Sequence, residues 1–189
     1  MLKTVKLTNI RMNPSVLILP GYQNSDEKHW QTYWEKAHPD FYRVMQKDWE
    51  HPNATEWVEQ LEATLQQCHS PVVLVAHSLG CLVVAKWASR THTKIKGALL
   101  VAPPNPEEPI FPKSAQGFEE IPMTPFDFPS IVLASTNDPY ATFPHVQRLA
   151  KAWGSRLVDL GKRGHMNSES DLGIWEEGYD YLETLLHIK

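Results

Sequence analysis

Six short apolar-rich runs punctuate the chain: 15–20 (SVLILP), 42–46 (YRVMQ), 72–76 (VVLVA), 97–102 (GALLVA), 130–135 (SIVLAS) and 155–160 (SRLVDL). Apolar residues in unbroken succession, rather than in alternation, belong to strands buried on both faces, and hence to a parallel sheet covered by helices on each side. The stretches between them carry helical spacing. Ser25 or Asp26 is placed to cap 27–38, Asn53 or Thr55 to cap 56–68, and 79–90, 143–153 and 174–187 repeat apolar residues with helical period. Six strands alternating with helices predict one doubly wound α/β domain over 1–189, a three-layer α/β/α sandwich on a mostly parallel six-stranded sheet.

Two segments break the alternation. Between 103 and 129 the chain places eight of its fifteen prolines, which excludes helix and central strand there. A connection this long is usually a functional loop, and Phe111, Phe118, Phe126 and Phe128 argue for order. The reading is a proline-rich flap packed over one end of the sheet. Residues 1–13 read as a flexible N-terminal extension without the continuous apolar stretch of a signal peptide. Met12, just before the first strand, is an alternative start.

Composition narrows the classes. With 42% hydrophobic and 21% charged residues the chain is neither disordered nor fibrous. A net charge of −4 leaves no basic stripe for nucleic acid or anionic lipid, and no apolar run reaches the length of a membrane span. Cys68 and Cys81 have no C-x-x-C spacing and read as reduced thiols, so the expected address is cytoplasmic. His29, His51 and His145 lack zinc-ligand spacing, and no metal or organic cofactor is expected.

The chemistry concentrates at 76–80, AHSLG, where a predicted strand meets a predicted helix. This is the nucleophile-elbow pattern G-x-S-x-G with Ala76 in place of the first glycine. Small residues are needed two before and two after the serine because the turn is too tight for side chains there. The turn would aim Ser78 out of the carboxyl end of the sheet, beside the free N–H groups of a helix start. A serine hydroxyl needs a base, and the base a carboxylate. Asp138 follows the strand 130–135, and His165 follows 155–160 behind Gly164, so Ser78, Asp138 and His165 stand in the order serine, acid, histidine at three strand ends. Asp159, inside a strand, and Asp171, after the histidine, violate that order. His77, next to the serine, should point away from it. For an oxyanion, the backbone N–H of Leu79 is expected to act with one from the loop after the first strand (LPGYQNS), Tyr22 first and Gln23 next.

From 15 to about 186 these segments resemble the α/β-hydrolase superfamily, and within it the small serine hydrolases akin to retinoblastoma-binding protein 9. The resemblance is carried by LPGYQNSDEKHW, DWEHPNATEW, VAHSLG, VAPP, FPSIVLASTNDPYATF and AWGSRLVDLGKRGHMNSESDLGIWEEG. It implies a minimal α/β-hydrolase fold with strand order 2-1-3-4-5-6, little or no lid, and Ser78, Asp138 and His165 as the catalytic set. A retinoblastoma-type partner is not expected, because the L-x-C-x-E motif is absent and the sequence around Cys68 reads LQQCHS. The expected activity is hydrolysis of a small ester through an acyl-enzyme, with peptidase or thioesterase action, or a non-catalytic interaction module using Glu107, Glu108 and the flap phenylalanines, as alternatives. A serine where a carboxylate nucleophile would be needed excludes haloalkane dehalogenase and epoxide hydrolase chemistry. Tyr22, Trp30, Tyr140 and the flap are expected to wall the pocket. Trp34, Trp57, Trp87, Trp153 and Trp175, in helical patterns, are expected in the core.

Overall fold

The apolar runs form the strands β1 (Val16–Leu19), β2 (Phe41–Arg43), β3 (Val73–His77), β4 (Gly97–Val101), β5 (Ser130–Ala134) and β6 (Arg156–Asp159). Between and after them run α1 (Trp30–Ala37), α2 (Ala54–Leu65), α3 (Leu79–Ala88), α4 (Phe143–Trp153) and α5 (Glu176–Leu186). This computed structural model describes residues 15–91 and 93–188; the expected N-terminal extension over 1–13 and the alternative start at Met12 lie outside the described residues. All six strands are parallel, in the order β2-β1-β3-β4-β5-β6. The order reverses between β1 and β3, and ligands of open α/β sheets bind at such a reversal, outside the carboxyl ends of the strands.

Strand residues divide between two cores by parity. Leu17, Leu19, Leu74, Ala76, Ala98, Leu100, Val132 and Ala134 pack under α2, α3 and α4. Val16, Ile18, Val73, Val75, Leu99, Val101, Ile131 and Leu133 pack under α1 and α5. Both faces are apolar in β1, β3, β4 and β5, which is why these strands read as unbroken runs. The edge strands differ. β2 is buried only at Phe41, and no residue of β6 is fully buried. Trp34, Trp57, Trp87, Trp153 and Trp175 are core residues, none more than 5% exposed.

Helix α1 starts later than its sequence suggests. Its cap is His29, whose Nδ1 accepts the Gln31 amide at 3.2 Å, rather than Ser25 or Asp26. Ser25 instead donates to Gln31 Oε1 at 2.7 Å, and Asp26 caps a turn through the Lys28 amide. Asn53 caps α2, as one of its two candidates, by accepting from the Thr55 and Glu56 amides.

The proline-rich stretch 103–129 is ordered, but most of it is a strap along the α2–α3–α4 layer rather than a flap over the sheet end. The Ala54 and Gln116 amides tie it to α2, Lys86 of α3 donates to the Glu120 carbonyl, and Trp153 of α4 donates to that of Pro122. A chain that cannot pair with itself because prolines remove its donors satisfies its carbonyls with side chains from the helices beneath. Phe118 is fully buried against Trp57, and Phe126 stacks between Phe128 and Trp153. Phe118 and Phe128 therefore form no outward surface, and Phe126 is half-buried. Among the described residues no helix is long and apolar enough to cross a membrane.

Candidate active site

Ser78 lies at the junction of β3 and α3 with φ +54° and ψ −123°, a region that costs a non-glycine residue on the order of 1–3 kcal/mol and persists only where its surroundings impose it. They do so here. Its N–H donates to the Val101 carbonyl at 3.0 Å, and its own carbonyl accepts from the Cys81 amide at 2.9 Å. Space around the turn is absent where the small residues stand. A methyl group on Gly80 would lie 2.4 Å from the Leu19 carbonyl oxygen, and one on Gly21 would lie 2.7 Å from the Ser78 Cβ. Glycine at these two positions lets the end of β1 and the loop after it lie directly against the serine.

His165 is brought to Ser78 from 87 residues away, the Ser78 hydroxyl donating to its Nε2 at 2.9 Å. On the other side of the ring, Nδ1–H lies 2.9 Å from both carboxylate oxygens of Asp138. The Asp138 carboxylate also accepts the Tyr140 amide at 2.9 Å, which fixes its orientation in the turn that Pro139 begins. Ser78 and His165 are buried, and so is the Asp138 side chain. Burial of this kind strengthens each polar contact by excluding competing water.

A cavity of about 270 Å³ opens over the serine, its lining made of apolar and aromatic residues such as Tyr22, Leu79, Phe111 and Tyr140 together with polar ones such as Asp26 and Asn167. Of the strap, only Pro104, Phe111 and Pro112 reach it. Tyr22 and Tyr140 line it, and the Tyr140 ring lies 4.2 Å from that of His165. Trp30 does not. It is 1% exposed, in the core beneath α1, and its indole N–H donates to the Met166 carbonyl at 2.8 Å. With α1 beginning at Trp30, the ring falls on the face turned to the sheet. Among the described residues, no acceptor takes the amide of Tyr22 or of Leu79, whereas the Gln23 amide is committed to the Trp49 carbonyl at 3.0 Å. The loop after β1 is held from below by Arg43, which donates to Asn24 Oδ1 and the Ser25 carbonyl, both at 2.9 Å.

Three groups that the sequence reading assigned no part in the site lie at it. Asp26 receives the Ser168 hydroxyl at 2.6 Å across the rim, and that hydrogen bond, against the effect of partial burial, keeps its carboxyl below the usual range. The rings of His77 and His29 follow behind that of His165, tilted and edge-on, with centroids 4.9 Å and 4.8 Å apart in succession. Burial holds His29 down at about 3, opposed by the Asp26 charge and reinforced by Arg43 and His165. Burial, followed by the neighbouring imidazoles, holds His77 well below the histidine range. Three histidines scattered from 29 to 165 give no signal of this cluster; only the loop geometry brings them together. Among the described residues no group of three or more His, Cys, Asp or Glu side chains is arranged to hold a metal ion.

Neutral buried histidines have a consequence for acid stability. The unfolded state takes up a proton below about pH 6.5 and the folded state does not, so the contribution of His29 is fully present above 6.5 and is lost as pH falls toward about 3. From pH 7 to pH 5 this removes about 2 kcal/mol, with His77 acting in the same direction. Urea unfolding at the two pH values measures it. In His29→Asn, which keeps a cap acceptor, the difference between the two values shrinks by about that amount; an unchanged difference would rule out a neutral buried His29.

Comparison with known proteins identifies relatives of the chain as a whole. The family model described as serine hydrolase matches residues 16–184. A YdeN-like hydrolase from Pectobacterium atrosepticum is 33% identical with a TM-score of 0.81, covering 92% of this chain and 91% of that one. The ydeN gene product of B. subtilis is 22% identical with a TM-score of 0.75, covering 93% and 100%. A monoacylglycerol lipase from Paleococcus ferrophilus, at 13% identity and a TM-score of 0.70 over 93% and 96%, shares the fold. A search of curated proteins finds no match.

Proposed function

We propose, on the premise that this chain belongs to the serine hydrolase family, that it hydrolyses a small ester through an acyl-enzyme on Ser78. One observation carries the reading: the unbroken hydrogen-bonded series from Asp138 through His165 to Ser78, ending at the floor of a cavity. Family membership supplies the reaction class, and the series supplies the roles.

Ser78 Oγ attacks the substrate carbonyl while His165 Nε2 takes its proton. Asp138 holds Nδ1–H, so that the tautomer with a free Nε2 is the one facing the serine, and it stabilises the imidazolium that forms. The carbonyl oxygen, now negative, lies toward the amides of Leu79 and Tyr22. These two have no internal acceptor among the described residues, so they accept the charge without giving up another bond. His165 then protonates the leaving alkoxide, and a water activated by the same imidazole releases the acid and restores the serine. A cavity of about 270 Å³ suits a small substrate rather than an extended peptide.

A fluorophosphonate probe tests the reading. Wild type is expected to become covalently labelled and Ser78→Ala to stay unlabelled, both folded by circular dichroism. A folded, unlabelled wild type would favour a non-catalytic interaction scaffold. Turnover of p-nitrophenyl esters of increasing acyl length, set beside a thioester and an aminoacyl anilide, ranks the three substrate classes.

A further inference from the structure

His165 rides on a loop in a backbone conformation that needs support. Gly164 has φ +60° and Met166 φ +49°, and the left-handed region is costly for methionine. Four side chains hold the loop. His77 Nε2–H donates to the His165 carbonyl at 2.8 Å, which requires the proton on Nε2 because a carbonyl only accepts. Trp30 donates to the next carbonyl, that of Met166. Asn137 Oδ1 accepts the Gly164 amide at 2.8 Å, and Ser135 Oγ accepts the Arg163 amide at 3.0 Å while donating to Asn137 Oδ1 at 2.9 Å. The peptide group that follows His165 and the one that precedes Gly164 are therefore both caught.

Their origin matters as much as their number. His77 directly precedes Ser78, and Asn137 directly precedes Asp138. At each of these two strand ends one residue presents a reacting group to the His165 ring, and its neighbour grips the main chain that carries the ring. We infer that His77 and Asn137 are positioning residues that fix the His165 imidazole between nucleophile and acid; the assignment rests on the hydrolytic reading above. The His165 carbonyl lies in a buried place, so removing the His77 donor leaves an acceptor unpaired and the loop free to move. Any such movement lengthens the Ser78 and Asp138 hydrogen bonds together.

The test pairs deletion with conservative replacement: His77→Leu against His77→Gln, and Asn137→Ala against Asn137→Asp. It reads kcat and KM for a short p-nitrophenyl ester, the thermal midpoint, and the low-field proton resonance of His165 Nδ1–H. His77→Leu and Asn137→Ala are expected to lower kcat by about 10- to 100-fold with KM nearly unchanged, the size of loss that follows a small misplacement of a catalytic group. The resonance should broaden or vanish in both, and Gln at 77 or Asp at 137 should restore most of kcat and the signal. Wild-type kcat in the folded deletion variants overturns the assignment. So does an equal loss in deletion and conservative variants accompanied by a parallel fall in thermal midpoint, which marks a packing role alone. If His77→Leu does not fold, Asn137, which is exposed, decides. If wild type turns over no ester, the hydrolytic reading fails separately, and the resonance, which needs no substrate, decides the positioning.

Discussion

His165→Ala lowers kcat for a short p-nitrophenyl ester by about 10⁴-fold or more, while KM changes little and the fold is retained. The size follows from the geometry. Among the described residues His165 is the one side chain hydrogen-bonded to Ser78 Oγ, so its loss would remove the proposed general base and the proton donor to the leaving group at once. Ser78→Ala has a similar effect, and the double variant is no worse than either single one, because residues acting as a unit are not additive. Asp138→Asn also costs heavily, since an amide can donate to Nδ1 and so present the wrong tautomer to the serine. The measurement is steady-state turnover of purified variants, with a thermal scan to certify folding. Retention of more than about a tenth of wild-type kcat in His165→Ala is incompatible with the proposed mechanism.

Gly80→Ala is expected to destabilise the protein by roughly 3 kcal/mol, at the upper end for overpacking by one methyl group. The added carbon would meet the Leu19 carbonyl oxygen at 2.4 Å and the Pro20 carbonyl oxygen at 3.0 Å. Both obstacles are main chain, at the end of a central strand that pairs on both sides, so neither can swing aside as a side-chain tip would. Relief requires β1 to retreat from α3. That carries Gly21 and Tyr22 away from Ser78, so the fraction that remains folded should also turn over more slowly. Urea unfolding gives the first quantity and turnover per folded molecule the second. Wild-type stability in Gly80→Ala would mean that β1 and α3 lie further apart than described here.

Much of this was legible from residue order, and the reasons differ from place to place. Four central strands announced themselves because burial on two faces demands unbroken apolar runs; Asp138 stood out because it follows such a run, and His165 because it follows the mixed run of β6 behind a glycine. The AHSLG turn was legible because steric demand selects small residues at fixed positions. Trp30 misled. A large aromatic near the loop after β1 could face the cavity or the core, and the choice depends on where α1 begins, which a histidine cap shifted by several residues. His77 was rightly excluded as a partner of the Ser78 hydroxyl, yet strand alternation says only which face it occupies. Its carbonyl acceptor is supplied by a loop 88 residues later whose left-handed turns no local pattern specifies. The strap was readable as ordered but not as to where it lies, because proline forbids regular structure without saying which surface the chain will cross.

The base of the proposed mechanism follows β6, the outermost strand, whose residues are all at least partly open to solvent, while the nucleophile follows β3 near the centre of the sheet. Edge elements open at lower free energy than the interior. The proposed base therefore hangs on a border seam of the sheet: fraying of β6 would silence turnover while the tryptophan core is still intact, and inactivation under mild denaturant is expected to run ahead of any change in core fluorescence.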